Sequence, residues 1–324
     1  MDERCHGSGT LSDVRLDGLH HITAITGDAP ANVDFYARLL GLRLVKKTVN
    51  FDAPDVYHLY YGDELGHPGS VLTFFEFPGA RPGRAGDGMV HRILWRVADD
   101  EALDFWARRL GGAGIASTPG DGSLRFADPE GLEHELLAIE VPDEPLVARA
   151  ADIPAAHALR GFHGVHAYSS RPAASVSLLE DLGFQSLGDD RWELAGEHRR
   201  ARLHYDEAPE ELGIQGAGSV HHVAWAGADD AELLEGRTIA QRDGRHATEI
   251  IDRQYFHSVY FREPSGVLFE LASLPPGFTV DEPAASLGEA LKLPPQYEPR
   301  RAELERTLTP LDNPRHADAA TVAD

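Results

Sequence analysis

Glu263-Pro264-Ser265-Gly266-Val267-Leu268-Phe269-Glu270 repeats the pattern of Asp128-Pro129-Glu130-Gly131-Leu132-Glu133-His134-Glu135 far earlier in the chain. An acidic residue, a proline, a variable position and a glycine make a tight turn, and the apolar run behind them reads as the strand that the turn feeds. A turn and strand that recur at this distance point to a chain built from copies of one unit. Upstream of each stretch lies a histidine that opens a strand, then an amphipathic helix closed by glycine.

Four such copies can be traced. The first runs from His21 through Ile22–Thr26 and a helix over Pro30–Leu40, with Val33, Tyr36, Leu39 and Leu40 on one face. Pro30 suits the first helical turn and Gly41 ends it. Strands follow at Leu42–Val49, Val56–Tyr61 and Val71–Phe77. The second copy has a strand at Ile93–Val97, a helix at Glu101–Leu110 and a last strand at Leu132–Ile139. The third starts near His163, has its helix at Ala174–Leu182 before Gly183, and ends at Ala201–Tyr205. The fourth begins at His222 and ends with the quoted stretch. Each copy is a βαβββ module. Val141–Leu159, rich in Ala, Pro and Asp, reads as a linker, and the tail from Pro275, with its charged stretch Arg300–Leu308, is expected to pack across the modules.

Composition narrows the function. The chain has 324 residues, 53 acidic against 30 basic, and a net charge of −23, which makes nucleic acid an improbable partner. Its only lysines are Lys46, Lys47 and Lys292, so the acidic, lysine-poor surface fits either adaptation to high salt or a codon bias toward arginine. Met1–Gly18 lacks the apolar core of a secretory signal and no run is long enough to cross a membrane, so a cytoplasmic location is expected. Cys5 is the sole cysteine, which excludes a disulfide framework and leaves His, Asp and Glu as metal ligands.

Two histidine doublets, His20-His21 before Ile22-Thr23 and His221-His222 before Val223-Ala224-Trp225, suggest one site built twice. Glu270 lies among Leu268, Phe269 and Leu271, where a carboxylate without a partner would cost several kcal/mol, on the order of that for burying an isolated charge. Two neutral imidazoles and one carboxylate, with coordination positions left open, are the ligand set of non-haem Fe(II) oxygenases. His20 could exchange roles with His21, because a slip of one residue on a strand reverses the face presented. His91 and His163, placed singly, read as hydrogen-bonded structural histidines, and Glu135 as a relic of a ligand or a rim charge. His257 reads equally as pocket lining or as a packed loop residue.

Four βαβββ units, with a histidine opening the first strand and an acid near the end of the last, resemble the vicinal oxygen chelate superfamily over about Leu19–Ser273. The resemblance implies an α+β fold of four modules paired into two cup-shaped mixed sheets, divided as 19–140, 160–274 and a C-terminal extension 275–324. Within the superfamily the chain is similar to ring-cleaving dioxygenases of the hydroquinone type. That implies His21, His222 and Glu270 as ligands of Fe(II), with Mn(II) as a substitute, and a small aromatic diol and O2 as reactants. It also implies that Arg253 and Tyr260 hold an anionic aromatic, while His20 or His221 carries a proton. A second copy of the chain is left open as a partner. Two other readings stand beside this one: a glyoxalase-like isomerase or lyase with Glu76 as a fourth ligand to Zn(II) or Ni(II), and a metal-free protein that sequesters an aromatic ligand.

Overall fold

A computed structural model of the protein describes residues 14–315. Cys5 and most of the Met1–Gly18 stretch lie outside the described residues. The four modules are all present. The first holds β1 (Leu19–Thr26), β2 (Arg43–Val49), β3 (Tyr57–Gly62) and β4 (Val71–Glu76). Its helix is short, α1 (Ala29–Val33), and continues as a π-helical segment, Asp34–Leu39, instead of one α-helix to Leu40. The second holds β5 (Val90–Val97), α2 (Asp100–Gly112), β6 (Ser117–Gly120), β7 (Ser123–Ala127) and β8 (Glu133–Ala138). The third holds β9 (Phe162–Ser169), α3 (Val176–Asp181), β10 (Gln185–Gly188), β11 (Arg191–Ala195) and β12 (Arg200–Glu207). The fourth holds β13 (Val220–Gly227), α4 (Asp230–Arg242), β14 (Ile251–Asp252), β15 (Phe256–Arg262) and β16 (Leu268–Pro276).

Two eight-stranded mixed sheets result, in the orders β14-β15-β16-β13-β1-β4-β3-β2 and β10-β11-β12-β9-β5-β8-β7-β6. Inside each module the first strand pairs in parallel with the last. Between modules the two first strands pair antiparallel, β1 with β13 and β5 with β9. Each sheet therefore takes one module from each half of the chain, first with fourth and second with third, and does not follow the division into 19–140 and 160–274. Only the edge of each first strand is free to pair outside its module, and nothing local in the sequence says which edge meets which. One buried apolar cluster, including Tyr36, Trp95, Trp106, Leu178, Trp225 and Leu271, joins all four modules.

The turns that revealed the repeat are held by their acids. Asp128 Oδ1 accepts from the amides of Glu130 and Leu132 at 2.9 and 2.8 Å, and Glu263 does the same for Ser265 and Val267 at 2.8 and 2.9 Å. Gly131 and Gly266 sit at φ of +93° and +108°, a region that favours glycine. The stretch 141–159 has no helix or strand but is pinned, since buried Asp143 pairs with Arg96 at 2.6 Å and Arg200 at 3.3 Å. The C-terminal extension crosses the first and fourth modules. Asp281 and Glu282 take buried Lys46 at 2.6 and 2.5 Å, Asp281 also receives the Tyr255 hydroxyl, and Tyr297 bonds the Phe51 carbonyl at 2.7 Å. Among the described residues no helix is long and apolar enough to cross a membrane.

A polar chain crosses the core between the first two modules. Trp95 Nε1 can only donate, so His134 Nδ1, 3.1 Å away, accepts. His134 Nε2–H then donates to the Tyr36 hydroxyl at 3.0 Å, and Tyr36 donates to Asp128 at 2.8 Å. Burial pushes His134 down to about 3 and Asp128 up to about 6. Burial likewise lowers His163 to about 3 and His204 to about 4. Each of these histidines stays neutral in the fold while its unfolded form takes a proton near 6.5. Their contribution is full above that pH and is lost as pH falls toward 4. Asp128 acts oppositely below about 6, but three groups outweigh one. Unfolding free energy should fall from pH 6.5 to 4.5, and His134→Gln should flatten that slope by about 1 kcal/mol per pH unit. Urea melts at several pH values test this, and equal slopes for both proteins would contradict it.

Candidate metal centre and its pocket

The doublets sit where β1 meets β13. Along this ladder Leu19 pairs with Trp225 but His21 with Ala224, and Thr23 pairs with His222 but Ala24 with Val220. His20 and His221 are thus the extra residues of two β-bulges, one on each strand. The bulges decide which histidine of each doublet faces the cup. His21 stands level with Ala224, which stands level with Glu270 on β16, which stands level with Tyr260 on β15. Thr73, Thr23 and His222 form the next row.

His21 Nε2 and His222 Nε2 lie 3.1 and 2.8 Å from Glu270 Oε2 and 3.3 Å from each other. The proton positions follow from the outer partners. His20 Nε2 lies 3.1 Å from the Ser273 carbonyl, which can only accept, so this nitrogen carries the proton. Burial, with His21 beside it, pushes His20 down to about 3, so the ring is neutral and its Nδ1 bare. His21 Nδ1–H must then donate to it across 3.0 Å, the tautomer that in a neutral ring puts the lone pair on Nε2. His221 holds His222 in the same way, Nδ1 to Nδ1 at 2.8 Å. Two lone pairs thus face a carboxylate oxygen that is buried and has no hydrogen-bond partner. Glu270 Oε1 is satisfied by the Ser258 hydroxyl at 2.5 Å. The donor set suits a divalent transition cation, which would replace electron-pair repulsion by coordination.

A cavity of about 380 Å³ opens onto this cluster, lined by His21, His222, Tyr260, Arg253, Phe75 and Phe256, among others. Arg253 Nε donates to the Tyr260 hydroxyl at 3.3 Å, its guanidinium lies 5.3 Å from that ring's centre, and its other end reaches Asp52 at 3.3 Å. Burial raises the Tyr260 hydroxyl, so it stays a donor at neutral pH. His221 lines the cavity, whereas both ring nitrogens of His20 are engaged and it does not reach the cavity. Sequence reasoning missed His58. It lines the wall and joins Tyr60 OH, at 2.9 Å, to Thr73 and through it Thr23, also at 2.9 Å each. The alternation His58-Leu59-Tyr60 on β3, polar side chains inward, was the available signal.

The other candidates lie elsewhere. Glu76 is buried but accepts from the Ala29 amide at the start of α1, and it is no part of the His21, His222, Glu270 group. Glu135 is held by Arg125 and Arg92 at 3.0 and 3.4 Å. His257 pairs with Asp230 at 2.7 Å and does not line the cavity. His163 is buried with Nδ1 unpartnered and joins no cluster. His91 groups with His166 and Asp206, neither of which the sequence reading singled out.

The model of the Glyoxalase/Bleomycin resistance protein/Dioxygenase superfamily matches residues 18–136. The chain is 40% identical over 304 residues to a Bacillus subtilis protein named "Putative ring-cleaving dioxygenase MhqO", covering 91% of this chain and 96% of that one. It is 34% identical over 321 residues to the "Chlorohydroquinone/hydroquinone 1,2-dioxygenase" of Sphingobium indicum, covering 91% and 96%. A crystal structure described as a "putative dioxygenase from Bacillus subtilis" superposes with a TM-score of 0.86 at 40% identity, over 92% of this chain and 98% of that one. Maize glyoxalase I shares the fold alone, with a TM-score of 0.56 at 17% identity over 79% and 92%. The chain belongs to this superfamily, and among its members to the kin of the ring-cleaving dioxygenases.

After anaerobic reconstitution with Fe(II) and desalting, the wild type is expected to retain iron, and replacing His21, His222 or Glu270 by Ala should remove it. Glu135→Ala and Glu76→Gln should retain it. Iron analysis of the five variants decides the matter: loss in Glu76→Gln would restore a four-ligand site.

Proposed function

We propose that the protein is an Fe(II)-dependent extradiol-type dioxygenase that opens a small 1,4-dihydroxylated aromatic ring with O2. The observation that carries this reading is the buried, unpartnered Glu270 Oε2 facing two bare imidazole nitrogens at the end of an apolar cavity. Three protein donors on one side leave the positions toward the cavity for a substrate oxygen and O2, and Fe(II) there would supply activation of O2 beside the bound ring. With Glu76 committed to α1, the three-donor arrangement fits oxygen chemistry better than a four-ligand isomerase.

The chain's own residues do the rest. Phe75, Phe77, Ile251, Phe256 and Leu268 enclose an aromatic ring and limit water. Arg253 and Tyr260 offer donors to an oxygen that gains negative charge, and the raised Tyr260 hydroxyl keeps its proton for that purpose. Burial, with His222 beside it, pushes His221 down to about 4, so at neutral pH the ring is neutral, its Nδ1 is engaged by His222, and its Nε2–H is left to donate a hydrogen bond to a substrate oxygen. His20, tied at both nitrogens, orients His21. In the overall change both atoms of O2 enter the product and one ring bond beside a hydroxyl breaks, leaving carboxylate and aldehyde ends.

A catechol can offer a metal two adjacent oxygens, whereas a 1,4-diol offers one and needs the protein to fix its ring. Arg253 and Tyr260 fit that second task. Hydroquinone should therefore be turned over faster than catechol, and Tyr260→Phe should slow turnover by roughly one to three orders of magnitude while iron stays bound. Oxygen uptake on the two substrates tests this, and a clear preference for catechol would refute the assignment.

A further inference from the structure

The second sheet carries a polar cluster of its own. His91 on β5, His166 on β9 and Asp206 on β12 come from three strands, and one ligand atom from each lies within 4.8 Å of the others. We propose that His91, His166 and Asp206 form a second metal centre, for a divalent transition cation of the imidazole-seeking class such as Zn(II).

The cluster is not a faded copy of the first site. The ladder between β5 and β9 has the same pair of irregularities, with His91 and His163 as the extra residues. Counting from them as from His20 and His221, the positions that match His21 and His222 are Arg92 and Gly164. Gly164 pairs with Arg202, so the position matching Glu270 is His204. A guanidinium and a glycine cannot bind a cation. His166 and Asp206 lie two residues beyond Gly164 and His204, on the same face of the sheet but one pleat further along. The second sheet thus has no ligand set at the equivalent position and carries one beside it.

The proton count in this cluster points to a cation. Asp206 Oδ2 lies 2.8 Å from His91 Nε2 and 2.7 Å from His166 Nδ1, so without a metal both nitrogens must carry protons there. In a neutral ring that arrangement leaves His91 Nδ1 without a proton, and this nitrogen is buried with no hydrogen-bond partner. Glu133 Oε2 stands 3.8 Å from that same nitrogen. With a cation on Nε2, the His91 proton moves to Nδ1, where Glu133 can take it, the carboxylate–imidazole–metal arrangement common around protein-bound cations. One exchange repairs the orphaned atom and fills the gap between the three ligands. His204, whose ring centre is 4.5 Å from that of His166, also has a buried Nε2 without a partner. Arg92 does not compete for Asp206, since it is spent on Glu133 and Glu135 at 3.1 and 3.4 Å. Asp206 is 41% exposed at its side chain, which leaves a path for entry. Two imidazoles with one carboxylate favour Zn(II), Ni(II) or Cu(II) over the hard cations Mg(II) and Ca(II). A cation here would clamp the second module to the third at the middle of their shared sheet.

The test is Zn(II) stoichiometry on the full chain, stripped with chelator, equilibrated with Zn(II) and passed through a desalting column. The wild type should retain two equivalents. Glu270→Gln and Asp206→Asn should each retain one, and the double variant none, so failure of the first centre and failure of this one give different patterns. Two equivalents in Asp206→Asn, or none in Glu270→Gln, would overturn the proposal. A second measurement needs no change at the cluster. In Glu270→Gln, Zn(II) should block acylation of His166 by diethyl pyrocarbonate, read by mass spectrometry, and equal labelling with and without Zn(II) would overturn the proposal as well.

Discussion

The antiparallel pairing of β1 with β13, irregular at His20 and at His221, is the constraint on which the rest depends. It joins the first and last modules of the chain into one sheet. It also places two imidazoles from opposite ends of the sequence side by side, with Glu270 delivered by the parallel neighbour of β13. Without the bulges, strict alternation would send one member of each doublet to each face and leave the choice of ligand to the register alone. With them, the outer histidine becomes the hydrogen-bond partner of the inner one. The long return path of the chain follows from this pairing, including the pinned stretch 141–159 and the C-terminal extension that ties the first module to the fourth.

Much of this was legible in the sequence, for identifiable reasons. The acidic-Pro-x-Gly turns declared the modules because a carboxylate that caps its own turn and a glycine at positive φ are both required by local geometry. The doublets and Glu270 stood out because a charge in a fully apolar run demands partners. The helix after β1 was found but not its π-helical form, which depends on packing rather than propensity. His21 was preferred over His20 as the residue facing the cup, but the exchange stayed open, since a bulge is a property of two strands and only one of them is local. His58, His166 and Asp206 were missed for a related reason. Each lies on a strand among other polar residues facing a cup, and what makes each notable is a neighbour 15 to 115 positions away.

Buried histidines set the electrostatic character of the protein. His20, His58, His134 and His222 are all lowered, with burial as the largest cause, and in His20 and His134 the partners of the two ring nitrogens fix one neutral tautomer. In the core, His134 links Trp95 to Tyr36 and so joins two modules. In the cup, the same physics leaves lone pairs aimed at a single point. A fold rich in neutral imidazoles is thus prepared both for packing and for holding a cation.

In the proposed metal centre His21, His222 and Glu270, and no fourth side chain, surround one metal ion at the end of the aromatic-lined cavity. Anomalous scattering at the iron edge from a crystal grown anaerobically with Fe(II) measures this most directly. An iron peak is expected about 2 Å from His21 Nε2, His222 Nε2 and a Glu270 carboxylate oxygen, in line with ordinary metal–ligand distances, with its remaining face toward Arg253 and Tyr260. An iron position bound by Glu76, or no iron between the two doublets, would contradict it.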